Sequence, residues 1–142
     1  LWTIPFYAQM KKFEPSEKSL KFADKQLKKM TLEEKVGSLI HVGINAQFAN
    51  RDSDFYQNIR RQVVENKVGG IVVFGAPVYD TAFLINRLQA EAKIPLLISV
   101  DAETGIGMRF EHTTVFPGAM AVGATGNPDY ARRIGAITAR EA

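Results

Sequence analysis

The chain alternates between segments whose apolar residues recur every three or four positions and short runs that are apolar throughout. The first spacing is typical of amphipathic helices, and the second is typical of strands buried on both faces. The predicted helices are Ser16–Met30, Thr31–Gly37, Asp54–Asn66 and Asp80–Lys93, with a last helix that begins after Asn127. The predicted strands are Ser38–Ile44, Val68–Gly75 and Leu96–Asp101.

Capping signals mark the start of two of these helices. Thr31 followed by Glu34 matches the capping box, in which the two side chains satisfy backbone N–H groups of the first turn. Asn127 is an N-cap residue, and Pro128 after it suits the first helical position. The stretch 139–142 contains neither glycine nor proline, so we expect the given sequence to end inside a helix.

The alternation of helices and strands predicts an α/β fold with a parallel sheet and helical crossovers. A complete (β/α)8 barrel takes about 250 residues, so a chain of 142 residues has room for about half of one. The pattern fits part of a (β/α)8 TIM-type barrel, or alternatively a small doubly wound sheet that needs no missing half. Both architectures bind ligands at the carboxyl ends of their strands, which here means Asp101 and the loop after it.

Composition narrows the classes of function. With 46% hydrophobic residues the chain can bury a core, and 18 basic against 15 acidic residues give a net charge of only +3. The lysines gather near the start without interleaved stacking aromatics, so they indicate a solvated helix face, and we expect no nucleic-acid partner. The absence of cysteine removes disulfides and thiolate chemistry. No apolar run is long enough to span a bilayer, so we expect no integral membrane segment.

The N-terminal segment Leu1–Gln9 is apolar, uncharged and followed by a lysine-rich stretch. It is typical of the end of a secretory signal peptide cleaved after Ala8, although a hydrophobic N-terminal strand has a similar composition. We favour export to the periplasm or the medium, with a cytoplasmic location as the alternative. Residues 10–30 then form an N-terminal amphipathic helix region, which we expect to pack across one end of the barrel.

Asp101 is the leading candidate for a binding residue because it ends an apolar strand. A carboxylate at that position can accept hydrogen bonds from vicinal hydroxyl groups, as a sugar site requires. Alternatively, Asp101 caps the turn that leads to Gly105, and the local sequence leaves both roles open. Glu103 follows two residues later, but acids are frequent in loops, and we expect it not to be catalytic. Arg109 and Phe110 either line the rim of a pocket or are ordinary loop residues.

The glycines and histidines indicate no cofactor. Gly105 and Gly107, like Gly69 earlier, lack the setting of a dinucleotide or phosphate-binding loop and are typical of turns and close packing. His41 and His112 are the only histidines and have no partner at ligand spacing, so we expect no metal site. His41 lies on the first predicted strand, in a core or barrel-lining position.

Four segments, taken in order, resemble the N-terminal domain of glycoside hydrolase family 3. They are Met30–Gly37 before the first strand, Val68–Ile71 at the second, Pro95–Gly105 around the third, and Phe116–Thr125 followed by Asn127 and Pro128. Gly135 and Glu141 also stand where the family's next helix has them. The resemblance runs from about Met30 to Ala142, and we identify the chain as a member of this family.

This resemblance implies the first part of a barrel domain over 31–142 and retaining hydrolysis of β-linked sugars, without a metal or organic cofactor. The family's aspartate on the third strand binds hydroxyls of the sugar beside the cleaved bond, and here that residue is Asp101. The family's nucleophile, and the acid/base of its β-N-acetylglucosaminidase branch, fall beyond Ala142. The resemblance thus implies no catalytic residue within this chain. We expect the fragment to be inactive and to self-associate, because it lacks the C-terminal half of the barrel.

The loop after the third strand indicates the branch of the family. Asp101–Phe110 is similar to the Asp-x-Glu-Gly-Gly-Arg-Val-x-Arg-Phe loop of the β-N-acetylglucosaminidase branch at Asp101, Glu103, Gly105, Arg109 and Phe110, and its departures from that loop include Thr104 and Ile106. We therefore expect a carbohydrate substrate with β-linked N-acetylglucosamine, from peptidoglycan or chitin. One alternative is a β-glucosidase of the same family, whose Asp-Ala-x-x-Gly loop also fits. The other is a small non-catalytic α/β module that binds a ligand at Asp101.

Overall fold

The computed structural model describes residues 14–142, which divide into two compact units with the boundary between Thr31 and Leu32. Leu1–Gln9, interpreted above as the remnant of a signal peptide, lies outside the described residues. Over 14–142, no helix combines the length and the apolar composition that crossing a membrane requires.

Helix α1, Glu17–Leu27, belongs to the first unit and forms within the helix predicted over Ser16–Met30. Ser16 is its N-cap, with a hydroxyl oxygen that accepts a hydrogen bond from the Ser19 N–H at 3.1 Å. Glu17 and Lys21, one turn apart, form an exposed ion pair at 3.0 Å. The cap and the ion pair both support the helix locally.

The second unit alternates helices and strands in the predicted order. Its helices are α2 (Leu32–Ser38), α3 (Asp54–Val64), α4 (Val78–Glu91), α5 (Ala119–Ala124) and α6 (Pro128–Glu141). Its strands are β1 (His41–Asn45), β2 (Gly70–Gly75) and β3 (Leu97–Val100). The strands pair in parallel in the order β1-β2-β3, which confirms the predicted α/β fold with a parallel sheet.

The sheet has one covered face and one open face. Ile44, Ile71 and Val73 lie on the covered face and are at most 7% exposed. Phe74 and Leu97 lie on the opposite face and are 44% and 62% exposed. This difference follows from the alternation of side chains along a strand, since both crossover helices pack on the same side.

Helices α3 and α4 supply the other half of the core. Helix α3 buries Tyr56, Ile59 and Val63 at helical spacing, and α4 buries Leu84 and Leu88. These side chains form one hydrophobic cluster with the covered face of the sheet. The cluster fixes the two crossovers against the strands, and so fixes the strand ends at which a site can form.

Tyr56 is the largest fully buried side chain of α3, whereas its neighbour Phe55 is half-buried. The Tyr56 hydroxyl donates a hydrogen bond to Glu91, and Arg60 Nε donates to the other oxygen of that carboxylate at 2.5 Å. Tyrosine suits this buried position because its ring fills the core while its hydroxyl forms a hydrogen bond at the edge of the core.

Glu34 is a buried acid near the amino ends of the strands, with only 2% of its side chain exposed. Its Oε1 lies 2.5 Å from the ammonium group of Lys93 and 3.9 Å from that of Lys67. These lysines precede β3 and β2 respectively, so the acid links α2 to the starts of two strands. A buried carboxylate requires such partners because its desolvation is otherwise costly.

The first strand begins later than predicted. Helix α2 continues through Ser38, where the prediction began the strand, and β1 starts at His41. The Ser38 hydroxyl donates to the Lys35 backbone oxygen at 2.8 Å, and the Ile40 N–H donates to the Gly37 oxygen at 2.9 Å. These bonds satisfy carbonyl groups at the end of the helix and delay the extended conformation.

Candidate functional site

The carboxyl ends of the three strands meet at one edge of the sheet. β1 ends at Asn45, which pairs with Gly75 at the end of β2, and β3 ends one residue before Asp101. Asn45 and Asp101 are both exposed at this edge. The residue predicted to bind ligand therefore lies where parallel α/β sheets bind their ligands.

Asp101 forms an ion pair with Arg109 at this edge. Arg109 Nη2 donates to Asp101 Oδ2 at 3.1 Å, and Arg109 Nε donates to the Asp101 backbone oxygen at 2.8 Å. The Asp101 side chain is 49% exposed, whereas the Arg109 side chain is 20% exposed. Asp101 Oδ1 accepts no hydrogen bond from any residue of 14–142. The carboxylate is thus held through one oxygen and open at the other.

The same arginine also contacts the end of the neighbouring strand. Arg109 Nη1 lies 3.4 Å from the Phe74 backbone oxygen, and the guanidinium carbon lies 5.4 Å from the centre of the Phe74 ring. The ring lies over β1, where a Cβ at Gly43 would come within 2.8 Å of it. Glycine at position 43 therefore leaves room for an aromatic ring on the open face, and Arg109 stacks on that ring.

A tight reversal of the loop after β3 returns Arg109 to the strand ends. Gly105 has a φ of 92°, and a Cβ there would come within 2.6 Å of the Thr114 backbone oxygen. A single 3₁₀ turn, Ile106–Met108, follows, and the Ala76 N–H then donates to the Arg109 backbone oxygen at 3.1 Å. Glycine is required at position 105 because other residues rarely adopt this conformation.

The second half of the loop is tied to the first half and to α6. The Gly107 N–H donates to the Thr114 oxygen at 3.0 Å, and the Phe116 N–H donates to the Thr104 oxygen at 2.7 Å. Thr114 also donates twice to the Glu141 carboxylate at the end of α6. The loop that carries Arg109 is therefore held by hydrogen bonds between its two halves and by hydrogen bonds to α6.

The two acids of this loop, Asp101 and Glu103, differ in their contacts. The turn after Asp101 is closed by the Gly105 N–H, which donates to the Ala102 oxygen at 3.2 Å. The Asp101 carboxylate takes no part in that bond, so the alternative prediction that Asp101 caps this turn is wrong. Glu103 is exposed, and its side chain forms no hydrogen bond with residues 14–142.

The two histidines lie in different settings. His41 is exposed on the open face of the sheet, close to Gly70, which corresponds to the barrel-lining position and not to the core. His112 is exposed in a turn and has a φ of 64°. Between residues 14 and 142, no three histidine, aspartate or glutamate side chains are grouped so that they could hold a metal ion.

The site offers a carboxylate acceptor beside an aromatic surface. Phe110, the other loop residue considered in the sequence, packs against the hydrophobic core. The sequence did not reveal the contacts of Arg109 with Asp101 and Phe74, because residues 8 and 35 positions apart across a loop show no local pattern that would predict a contact. The one signal in the sequence was Gly105, which is typical of a chain reversal.

Three parallel strands joined by helical crossovers, with an exposed carboxylate after the third strand, fit the first part of a (β/α)8-type barrel domain. Residues 31–142 match the family described as Glycosyl hydrolase family 3 N terminal domain. The chain belongs to this family, and the family recognised in the sequence is confirmed.

Two known proteins resemble the chain over part of their length. A Cellulomonas fimi protein described as a β-N-acetylglucosaminidase/β-glucosidase is 36% identical over 75 residues, which are 53% of this chain and 13% of that protein. A solved structure described as "Beta-glucoside phosphorylase BglX bound to 2FGlc" matches 87% of this chain with a TM-score of 0.70 and 23% identity. This match confirms the fold as the first part of a barrel domain. The chain spans 22% of the length of that structure.

Proposed function

We propose that this chain is the N-terminal part of a glycosidase that removes β-linked N-acetylglucosamine from peptidoglycan or chitin-derived sugars. In this proposal, Asp101 binds hydroxyl groups of the sugar beside the cleaved bond. The observation that carries the proposal is the position of Asp101: its carboxylate stands half exposed at the carboxyl edge of the sheet, and Oδ1 accepts no bond from the described residues.

A sugar hydroxyl is the group that such a carboxylate recognises best. Hydrogen bonds from hydroxyl donors to an ionised acceptor are short and about twice as strong as those between neutral groups. Two vicinal hydroxyls can reach the two oxygens of one carboxylate, since each oxygen has two lone pairs. The Phe74 ring, 44% exposed on the same face of the sheet, adds an apolar surface next to this acceptor.

Asp101 alone does not break a glycosidic bond. Retaining hydrolysis needs an acid to protonate the leaving group and a nucleophile on the opposite side, about 5 to 5.5 Å from that acid. We propose that residues outside these 142 positions supply both groups, so that this polypeptide on its own is inactive.

The choice of N-acetylglucosamine rests on the loop after β3. Its residues Asp101, Glu103, Gly105, Arg109 and Phe110 agree with the loop of the β-N-acetylglucosaminidase branch. The name of the Cellulomonas fimi relative includes that activity together with β-glucosidase activity. The second candidate is therefore a β-glucosidase that uses the same carboxylate.

The acceptor of the sugar is a separate question. The matching solved structure is named as a phosphorylase, an enzyme that transfers the sugar to phosphate instead of water. Recognition of hydroxyls by Asp101 is compatible with either acceptor because it concerns the sugar that is retained. We propose water as the acceptor, and inorganic phosphate is therefore a variable in the test.

The test uses the complete natural reading frame that contains this chain. Initial rates are measured on aryl β-N-acetylglucosaminide and aryl β-glucoside, with and without inorganic phosphate, and the sugar products are identified. We expect turnover of the first substrate without a requirement for phosphate. Preference for the glucoside would assign the protein to the other branch, a sugar phosphate product would make it a phosphorylase, and no turnover would favour a non-catalytic binding module.

The role of Asp101 is tested by Asp101→Ala and by a matched control, Asp129→Ala. Asp129 is also an exposed aspartate paired with an arginine, Arg132 at 2.6 Å, but it lies on α6. We expect a loss of kcat/KM of about 100-fold for Asp101→Ala, from a lost contact to a charged acceptor, and no loss for the control. Circular dichroism verifies that both variants are folded. Equal activity of the two variants would refute the role of Asp101.

A further inference from the structure

We propose that Arg109 is a positioning residue for sugar recognition, which fixes the Asp101 carboxylate and leaves Oδ1 to accept from the sugar. This inference rests on the proposed function of Asp101. Its starting point is the three-way contact of one guanidinium group with the Asp101 side chain, the Asp101 backbone and the Phe74 backbone.

The contacts join two strand ends through one rigid group. Arg109 Nε and Nη2 reach the backbone and the carboxylate of Asp101, and Nη1 faces the backbone oxygen of Phe74. Because the guanidinium group is planar, its donors keep fixed directions relative to one another. The carboxylate is therefore oriented relative to the backbone of both β2 and β3.

Arg109 is better anchored than the residue it holds. Its side chain is 20% exposed and stacks on the Phe74 ring, whereas the Asp101 side chain is 49% exposed. The Arg109 backbone is held as well, since its oxygen accepts from the Ala76 N–H at 3.1 Å and its N–H donates to the Ile106 oxygen at 2.9 Å. A binding group supported in this way loses less conformational freedom when a ligand arrives.

The bond between the side chains is not needed to join the strands. The two bonds from Arg109 to backbone oxygens already link the loop to β2 and β3. An exposed ion pair adds little to stability because water and salt screen it. What the bond from Arg109 Nη2 to Asp101 Oδ2 adds is a fixed orientation of the carboxylate. A fixed orientation matters only if Asp101 binds a ligand.

This distinction makes the inference testable by a double-mutant cycle in the complete natural reading frame. The variants are Asp101→Ala, Arg109→Ala and both together, assayed on whichever aryl β-glycoside the unmodified enzyme turns over. We expect Arg109→Ala alone to lower kcat/KM roughly tenfold or more, mainly by raising KM. In the Asp101→Ala background the same change is expected to matter less than about threefold, because the group that Arg109 positions is already gone.

A conservative variant separates charge from geometry. Arg109→Lys keeps a positive charge near the Phe74 ring but cannot form the planar pair of hydrogen bonds. We therefore expect its kcat/KM to be almost as low as that of Arg109→Ala. Thermal unfolding is recorded for every variant. If Arg109→Ala is unfolded at the assay temperature, Arg109→Lys replaces it in the cycle.

The matched control is the same cycle at Asp129 and Arg132, an exposed pair on α6. We expect both single variants and the double variant there to keep the activity of the unmodified enzyme. Multiplicative effects of Asp101→Ala and Arg109→Ala would overturn the positioning role while the binding role of Asp101 stands. No effect of Asp101→Ala, or no turnover by the unmodified enzyme, would overturn the proposed function and this inference with it.

Discussion

Both oxygens of the Glu141 carboxylate accept hydrogen bonds from Thr114, 27 positions earlier in the chain: Oε2 from the backbone N–H at 3.1 Å and Oε1 from the hydroxyl at 2.5 Å. Thr114 in turn accepts from the Gly107 N–H, which belongs to the 3₁₀ turn before Arg109. The end of α6 is therefore connected, through Thr114 and Gly107, to the loop whose Arg109 contacts Asp101.

We predict that Glu141→Ala loosens this loop. The variant loses two charge-assisted bonds, and because they are exposed we expect a loss of unfolding free energy of only about 1 kcal/mol. The sharper measurement is amide hydrogen exchange, which is expected to accelerate at Thr114 and Gly107. Thr114→Ser keeps both donors and is the control. Unchanged exchange at Thr114 in Glu141→Ala would contradict the connection.

Helices α3 and α4 and strand β2 could be predicted because their apolar residues are buried in the core. Helix α1 has the same apolar spacing although none of its residues is buried, and α2 was predicted from its capping signal. Helix α5, Ala119–Ala124, was not predicted, since its six residues are too few to display a helical period and none of them is buried. The start of β1 was placed too early because Ser38, Leu39 and Ile40 suit a strand, and propensity does not register the hydrogen bonds that close α2.

The position of one residue of the candidate site could be predicted from the sequence, but the residue that contacts it could not. The position of Asp101 follows from the topology of parallel sheets, in which a residue after a strand lies at the carboxyl edge. The partner of Asp101 depends on the path of the loop, which is decided by the reversal at Gly105 and by the bonds to Thr114 and Glu141. Those bonds connect distant positions, and no local pattern encodes them.

Close packing at the start of β2 leads to a second prediction, about Gly69. A Cβ at this position would overlap the backbone oxygen of Ser38, and the Gly69 N–H already donates to the Ile40 oxygen at 2.9 Å. We expect Gly69→Ala to lower the free energy of unfolding by about 3 kcal/mol because backbone, not a flexible side chain, must move. Chemical denaturation measures the change.

Gly75 at the other end of β2 is the matched control. A Cβ there would lie 3.7 Å from the Arg109 oxygen and 3.9 Å from Asn45 Oδ1, which are ordinary contact distances. We expect Gly75→Ala to change the free energy of unfolding by less than about 1 kcal/mol. Equal effects of the two substitutions would mean that the close approach of α2 to β2 is not the reason why position 69 needs glycine.

The open face of the sheet predicts the behaviour of the 142-residue polypeptide when it is produced alone. Leu97 and Phe74 are 62% and 44% exposed there, and within 14–142 β1 and β3 each pair with a single strand. Exposed apolar surface next to unpaired strand edges favours association. We expect oligomers in multi-angle light scattering at micromolar concentration, and fewer of them for Leu97→Lys.

Tyr79→Lys is the control for that experiment, because Tyr79 is 88% exposed but lies on α4, away from the sheet face. We expect this variant to associate as the unmodified polypeptide does. A monodisperse monomer of the unmodified polypeptide would refute the prediction, and an equal effect of both lysine substitutions would show that charge, not the open face, controls association.

Tyr56 gives the protein a distinct dependence of stability on alkaline pH. Burial, reinforced by the hydrogen bond to Glu91, raises the Tyr56 pKa from 10.0 to about 12. The folded state therefore keeps its proton where the unfolded state loses it. The resulting stability is fully present below pH 10 and is lost as the pH rises from 10 to about 12.

At acidic pH the same contact acts through Glu91. The Tyr56 hydroxyl, and secondarily Arg60, lower the Glu91 pKa below its ordinary value. The stability from this carboxylate is present above the unfolded pKa and is lost as the pH falls through the folded one. Removing the hydroxyl should therefore weaken the dependence on pH at both ends of the range.

We predict that Tyr56→Phe lowers the free energy of unfolding by about 1 to 2 kcal/mol at neutral pH, since it removes a hydrogen bond to a charged group. The difference from the unmodified protein should shrink between pH 10 and 12, because the phenylalanine has no proton to lose. Urea unfolding at a series of pH values measures both effects. Tyr130→Phe, at a tyrosine that is 48% exposed, should leave the pH profile unchanged. A constant difference between Tyr56→Phe and the unmodified protein up to pH 12 would mean that burial does not hold the Tyr56 proton.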